Sequence, residues 1–154
     1  MSAAIAGSGS SIGAVPRVLT AASTVPTCPK NPGKPMIHDV YFPESFAAAV
    51  AALAAGDTLR VHAGVYPEAL TGPLPGAADW AGATRIIAAG DGPVWLEPPS
   101  GPASYHAILI TSGAYVEFSG INVDAHNSVD GLKITSGGAN LPHHIRFADA
   151  EIKN

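Results

Sequence analysis

The side chains best suited to chemistry gather in Asn122-Val-Asp-Ala-His-Asn-Ser-Val-Asp130, with Lys133 just beyond. Asp124 and Asp130 supply carboxylates, and the Asn and Ser residues supply further oxygens, the donor type that calcium collects. Both carboxylates could face one groove together with Lys133. Lys133 adds an amine that can transfer a proton. The plainer alternative is that Asp, Asn and Ser fill a turn between two strands. Imidazoles that could ligate a metal stand at His106, His126, His143 and His144. Successive side chains of a strand point to opposite faces, so His143 and His144 are expected to be a poor ligand pair, placed on a turn or the surface. Trp80, Trp95 and Tyr105 offer flat faces on which a sugar ring could rest. Their alternative is packing, with Trp95 at a corner between Val94 and Leu96 and Trp80 anchoring an inserted loop over residues 72–83. Cys28 is the single cysteine, so no internal disulfide forms, and no thiol-activating neighbour stands beside it. The residues before it lack the apolar-then-small pattern of a lipid-modified cysteine.

The elements that must carry these residues are mostly short. One helix is expected: Phe46, Val50 and Leu53 fall at i, i+4 and i+7 and give one apolar stripe. The alanine-rich run around them favours the helix, Pro43 and Glu44 suit its first turn, and Gly56 stops it. A strand follows over residues 57–62, with Leu59 and Val61 on one face and Arg60 and His62 on the other. Further strands are expected over 85–89, 94–96, 107–111, 115–118, 121–124, 131–135, 144–147 and 151–153. Gly, Pro, Asp and Asn separate them. Residues 1–37, rich in Ala, Gly and Ser and then in Pro, read as a flexible leader and linker. Residues 38–154 read as the ordered domain.

Apolar residues are 47 % of the 154, so a core can form; charged residues are 13 %, well below the roughly 25 % of ordinary globular domains. That poverty of charge, with 17 Gly and 14 Pro, favours strands and tight turns over surface helices. The formal charge of −4 without a basic run argues against a nucleic-acid partner. No run of about 18 apolar residues exists, so no membrane span is expected. The first 27 residues lack a positive region and a compact apolar region, which makes a poor export signal.

An internal repeat decides the fold class. Ala107-Ile-Leu-Ile-Thr-Ser-Gly lies over Gly131-Leu-Lys-Ile-Thr-Ser-Gly, so Ile108 falls on Leu132 at an offset of 24 (132 minus 108). Val116-Glu-Phe-Ser-Gly-Ile-Asn-Val lies over Ile145-Arg-Phe-Ala-Asp-Ala-Glu-Ile, so Phe118 falls on Phe147 at an offset of 29 (147 minus 118). Apolar positions alternate within each strand and recur between strands, the signature of a solenoid in which each rung needs its neighbour for a core. The same register sets Glu117 beside Arg146 and Asp124 beside Lys153, opposite charges on stacked strands.

At Ala54-Ala-Gly-Asp-Thr-Leu-Arg-Val-His-Ala-Gly-Val-Tyr-Pro-Glu68 the chain resembles the entry segment of right-handed parallel β-helix proteins of the pectate-lyase-like superfamily. Thr84-Arg-Ile-Ile-Ala-Ala-Gly-Asp-Gly-Pro, Tyr115-Val-Glu-Phe-Ser-Gly-Ile-Asn-Val-Asp and His144-Ile-Arg-Phe-Ala-Asp-Ala-Glu-Ile resemble its later strands and coil repeats. The resemblance covers residues 40 to 154. It implies an all-β, right-handed parallel β-helix whose N-terminal end is closed by a capping α-helix, with residues 38–154 forming the first rungs of a longer solenoid.

The resemblance also implies an extracellular or cell-surface protein whose partner is a polysaccharide. Lyases of this fold take a proton next to a uronate carboxylate that a cation neutralises. Lys133 and Arg146 are then the candidate bases, and Asp124 and Asp130 the candidate ligands of Ca2+. Hydrolases of the fold use paired Asp residues, and no Asp-Asp pair occurs here. A polysaccharide lyase is the first expectation, and a non-catalytic glycan-binding or surface module the alternative. An assembly unit associating end to end through an uncapped last rung is a third.

Overall fold

The structure is a computed structural model that describes residues 34–101, 105–138 and 140–154. Cys28 and residues 1–33 of the expected leader lie outside the described residues. The first elements of the described chain are β1 (Ile37–Val40) and α1 (Phe46–Ala52). Three groups of strands follow: β2 (Thr58–Val61), β3 (Gly64–Tyr66) and β4 (Leu70–Pro73), then β5 (Thr84–Ala88), β6 (Val94–Leu96) and β7 (His106–Ser112), then β8 (Ala114–Ser119), β9 (Ile121–Asp124) and β10 (Asp130–Ile134). Strands β11 (His143–Ala148) and β12 (Ile152–Lys153) close the described chain.

The fold is mostly β, with parallel sheets and one short helix among the described residues. One sheet runs β1-β2-β5-β8-β11, a second β3-β6-β9-β12 and a third β4-β7-β10. From β2 onward the chain visits the three sheets in rotation, so each parallel pair is joined through the other two sheets. Parallel strands need such a long return path, which a hairpin cannot supply.

The register is the one expected from the repeat. Ile108 pairs with Leu132, and Val116, Glu117 and Phe118 pair with Ile145, Arg146 and Phe147. Inward positions form like-on-like ladders: Leu59, Ile86, Phe118 and Phe147 in the five-stranded sheet, and Leu70, Ile108 and Leu132 in the three-stranded one. The Phe118 and Phe147 rings stack at 4.6 Å and are parallel within 2°. Leu59, Ile86, Ile108 and Phe118 are fully buried, whereas Ile134 and Ile152 on the last strands are exposed. Polar bridges reinforce the stacking. The Asn122 side chain donates to the Val94 carbonyl at 3.1 Å and accepts from the Glu151 N–H at 2.9 Å, joining three successive strands' worth of backbone.

The helix is shorter than its alanine run. Ser45 is the N-cap, its hydroxyl accepting the Ala48 N–H at 3.1 Å. Pro43 and Glu44 therefore lie before the helix rather than in its first turn, and the Glu44 carboxylate accepts the Tyr41 N–H at 2.9 Å. The Glu68 carboxylate accepts from the Ser45 hydroxyl at 2.7 Å and from the Phe46 N–H, an anion where helix N–H groups are unpaired. Leu53 leaves the helix to bury itself, and the left-handed Gly56 (φ 87) makes the turn into β2. No helix among the described residues is long and apolar enough to cross a membrane.

Strands β3 and β4 are not among the strands expected from the sequence. Three residues of β3 are too few to show alternation, and β4 contains Gly72 and Pro73, with a register shift between them.

Candidate functional site

The outward side of the five-stranded sheet carries the ladder Thr58, Arg85, Glu117, Arg146. Glu117 lies between two guanidinium groups, 3.5 Å from Arg85 and 3.5 Å from Arg146. Arg146 also covers the Trp80 ring, its guanidinium carbon 4.4 Å from the ring centre. Trp80 in turn meets Tyr115 edge to face at 5.5 Å, and Tyr115 stacks on His144 at 4.4 Å with the planes 15° apart. Four aromatic or cationic side chains thus make one outward patch, in which His144 and Arg146 are exposed and Trp80 and Tyr115 half-buried. A cleft of about 480 Å³ adjoins it, lined by Leu74, Ser112, Gly113, Ala114, Asn140 and His143, where the three-stranded sheet hands over to the five-stranded one.

The backbone explains the patch. Tyr115 and His144 both take left-handed conformations (φ 54), rare for residues with large side chains. They are 29 residues apart (144 minus 115), the same offset that relates the paired strands β8 and β11. Gly120 (φ 72) and Asp149 (φ 50) repeat at the same spacing (149 minus 120) in the turns leaving β8 and β11. The left-handed residue breaks the alternation at the start of β11. His143 and His144 therefore do not point to opposite faces: their Nδ1 atoms lie 2.7 Å apart.

The side chains expected to do chemistry are spread over three sheets. Arg146 is in β11, with Glu117 and Trp80 as described. Asp124, in β9, is 2.9 Å from His126 Nδ1 and 3.0 Å from Lys153 Nζ. Hydrogen bonds from His126 and then Lys153 hold its carboxyl down to about 2. Lys153 also lies over the Trp95 ring at 4.3 Å, so Trp95 is an outward residue, not a corner filler. Asp130 and Lys133 share β10, 3.6 Å apart. Asp130 also approaches His106 Nδ1 at 2.9 Å, an ion-pair distance off the hydrogen-bonding direction. Asp124 and Asp130 therefore belong to separate groups, each balanced by its own cations. Among the described residues no three His, Cys, Asp or Glu side chains gather as a metal-ligating set. Calcium takes six to eight oxygens around one point, and here the Asp124 and Asp130 carboxylates are each engaged by histidine and lysine.

A further cluster surrounds His62. Its Nδ1 is 2.7 Å from Asp91 and its Nε2 3.1 Å from Asp39, while Arg60 grips Asp39 at 2.9 and 2.8 Å. Tyr41 stacks on the imidazole at 3.8 Å. The Asp91 hydrogen bond pushes the His62 pKa up, and hydrogen bonds from Arg60 and His62 pull Asp39 down. The chain matches no protein-family model, no curated protein and no solved structure.

Proposed function

We propose that the chain is a right-handed parallel β-helix entered through α1 as an N-terminal cap, and that it is an extracellular module binding a polysaccharide on its outward five-stranded face. The observation that carries the reading is the patch of Trp80, Tyr115, His144 and Arg146 beside the cleft. The inward ladders already supply a core, so these rings are not needed for one. Clusters of Trp, Tyr and Arg are the composition of binding hot spots, and here the exposed His144 and Arg146, backed by the half-buried Trp80 and Tyr115, offer flat and polar surface to the C–H faces and hydroxyls of a sugar ring.

Binding without cleavage is the reading the geometry supports better than a lyase. Proton abstraction beside a uronate needs a base and a neutralising cation at one sugar. Lys133 and Arg146 lie in different sheets, and each is paired with a carboxylate. The test is affinity electrophoresis on a panel of neutral and acidic polysaccharides, alongside absorbance of unsaturated product with and without calcium. Retardation by at least one polymer is expected, lost in Trp80→Ala and Arg146→Ala, with no product. No retardation on the whole panel refutes the binding reading, and product formation restores the lyase.

A further inference from the structure

The geometry points to His143 and His144 as a two-nitrogen chelate for a divalent first-row transition metal, with copper(II) the tightest. Their Nδ1 atoms converge to 2.7 Å. Two imidazole nitrogens, each about 2.0 Å from one metal and at a right angle, stand about 2.8 Å apart; a tetrahedral angle needs about 3.3 Å. The 2.7 Å separation is that of a hydrogen bond between the metal-free rings, and it is closer to the right-angle spacing that copper(II) or nickel(II) needs than to the wider tetrahedral spacing of zinc. Copper(II) also heads the affinity order for nitrogen sites.

The approach is built, not incidental to two neighbouring residues. Extended backbone would send the rings apart; the left-handed His144 turns its ring back toward His143. Tyr115 lies flat against the His144 ring at 4.4 Å and fixes its plane. The Nδ1 lone pair lies in that plane, so the stack orients the ligand without covering it, as supporting contacts do around metal-bound histidines. Both histidines are exposed, and His143 borders the cleft, so water can fill the remaining metal positions. Without metal, one ring's Nδ1–H donates to the other's Nδ1. On binding, that ring carries its proton on Nε2 instead, and no net proton is lost.

The experiment titrates copper(II) into the full chain in a Cys28→Ser background, which removes the competing thiol, and reads heat and electron paramagnetic resonance. The expected result is one equivalent with a tetragonal signal split by two nitrogens. Affinity at that site falls more than about tenfold in His143→Ala and in His144→Asn. Asparagine accepts the left-handed backbone and removes the imidazole, and circular dichroism confirms that both variants keep the fold. Copper bound equally by wild type and variants, or not bound at all, overturns the site. Zinc binding more tightly than copper overturns the geometry argued for it.

Discussion

His62 is held by carboxylates on both ring nitrogens, Asp91 at 2.7 Å and Asp39 at 3.1 Å. Its pKa lies above the ordinary 6.5. Its contribution to stability is therefore complete below 6.5 and fades as pH rises through the raised folded value. Asp39 and Asp91 lie below their ordinary 3.8, so their contributions are present above 3.8 and fade as pH falls through the depressed values. The cluster is at full strength between those limits. The melting temperature should fall as pH rises from about 6 to about 8, and His62→Gln should lose that part of the slope. A variant with the wild-type slope removes His62 as its source. At this scale the sequence was only partly informative. The acidic stretch from Asn122 to Asp130 stood out by composition, yet its carboxylates balance local cations. The left-handed backbone at Tyr115 and His144 was hidden, because nothing in a residue's type announces it. Their spacing of 29 (144 minus 115) was the available signal, one residue outside the aligned strand.

Among the elements, strands declared themselves where alternation ran for four residues or more, as in β7, β8 and β9. β3 did not, because three residues cannot show a period. The segment resembling a β-helix entry has a structural explanation in its own side chains. Asp57, buried, accepts the N–H groups of Met36 at 2.9 Å and Ala54 at 2.8 Å, and His38 at 3.2 Å. Burial alone would raise its pKa, but those donors outweigh it and the net shift is downward. Asp57→Ala leaves two backbone donors without their partner and should cost about 2 kcal/mol in urea unfolding. A change below about 0.5 kcal/mol would show that water replaces the carboxylate without loss. Tyr66 is buried with its hydroxyl donating to the His62 carbonyl at 2.9 Å. Glu68 anchors the start of α1. These residues fasten helix to strand, so they report on fold and not on chemistry. Phe118, between Ile86 and Phe147, is the largest fully buried member of its ladder. Phe118→Ala should lower stability by about 3–5 kcal/mol, whereas a cost near 1 kcal/mol would mean that the ladder collapses around the gap.

For the molecule as a whole, the repeat carried more information than any motif. A stacked rung must place like on like, so alignment of the sequence on itself yields the strand neighbours directly. That logic reached Glu117 beside Arg146 and Asp124 beside Lys153, found at 3.5 and 3.0 Å. It could not reach Trp80, which lies between β4 and β5 and meets the patch only through the folded path of the chain. The proposed glycan-binding face and the copper site both depend on β8 and β11 lying parallel and in this register. The most direct measurement pairs cysteines across those strands in a Cys28→Ser background. Ser119 and Ala148 are register partners, and parallel neighbours stand about 4.8 Å apart, within the span of a disulfide. Mass spectrometry should find Ser119→Cys with Ala148→Cys oxidised within one molecule, and the one-residue-shifted combination with Phe147→Cys largely reduced. Oxidation of the shifted pair in preference to the matched one would contradict the stacking on which every proposed site rests.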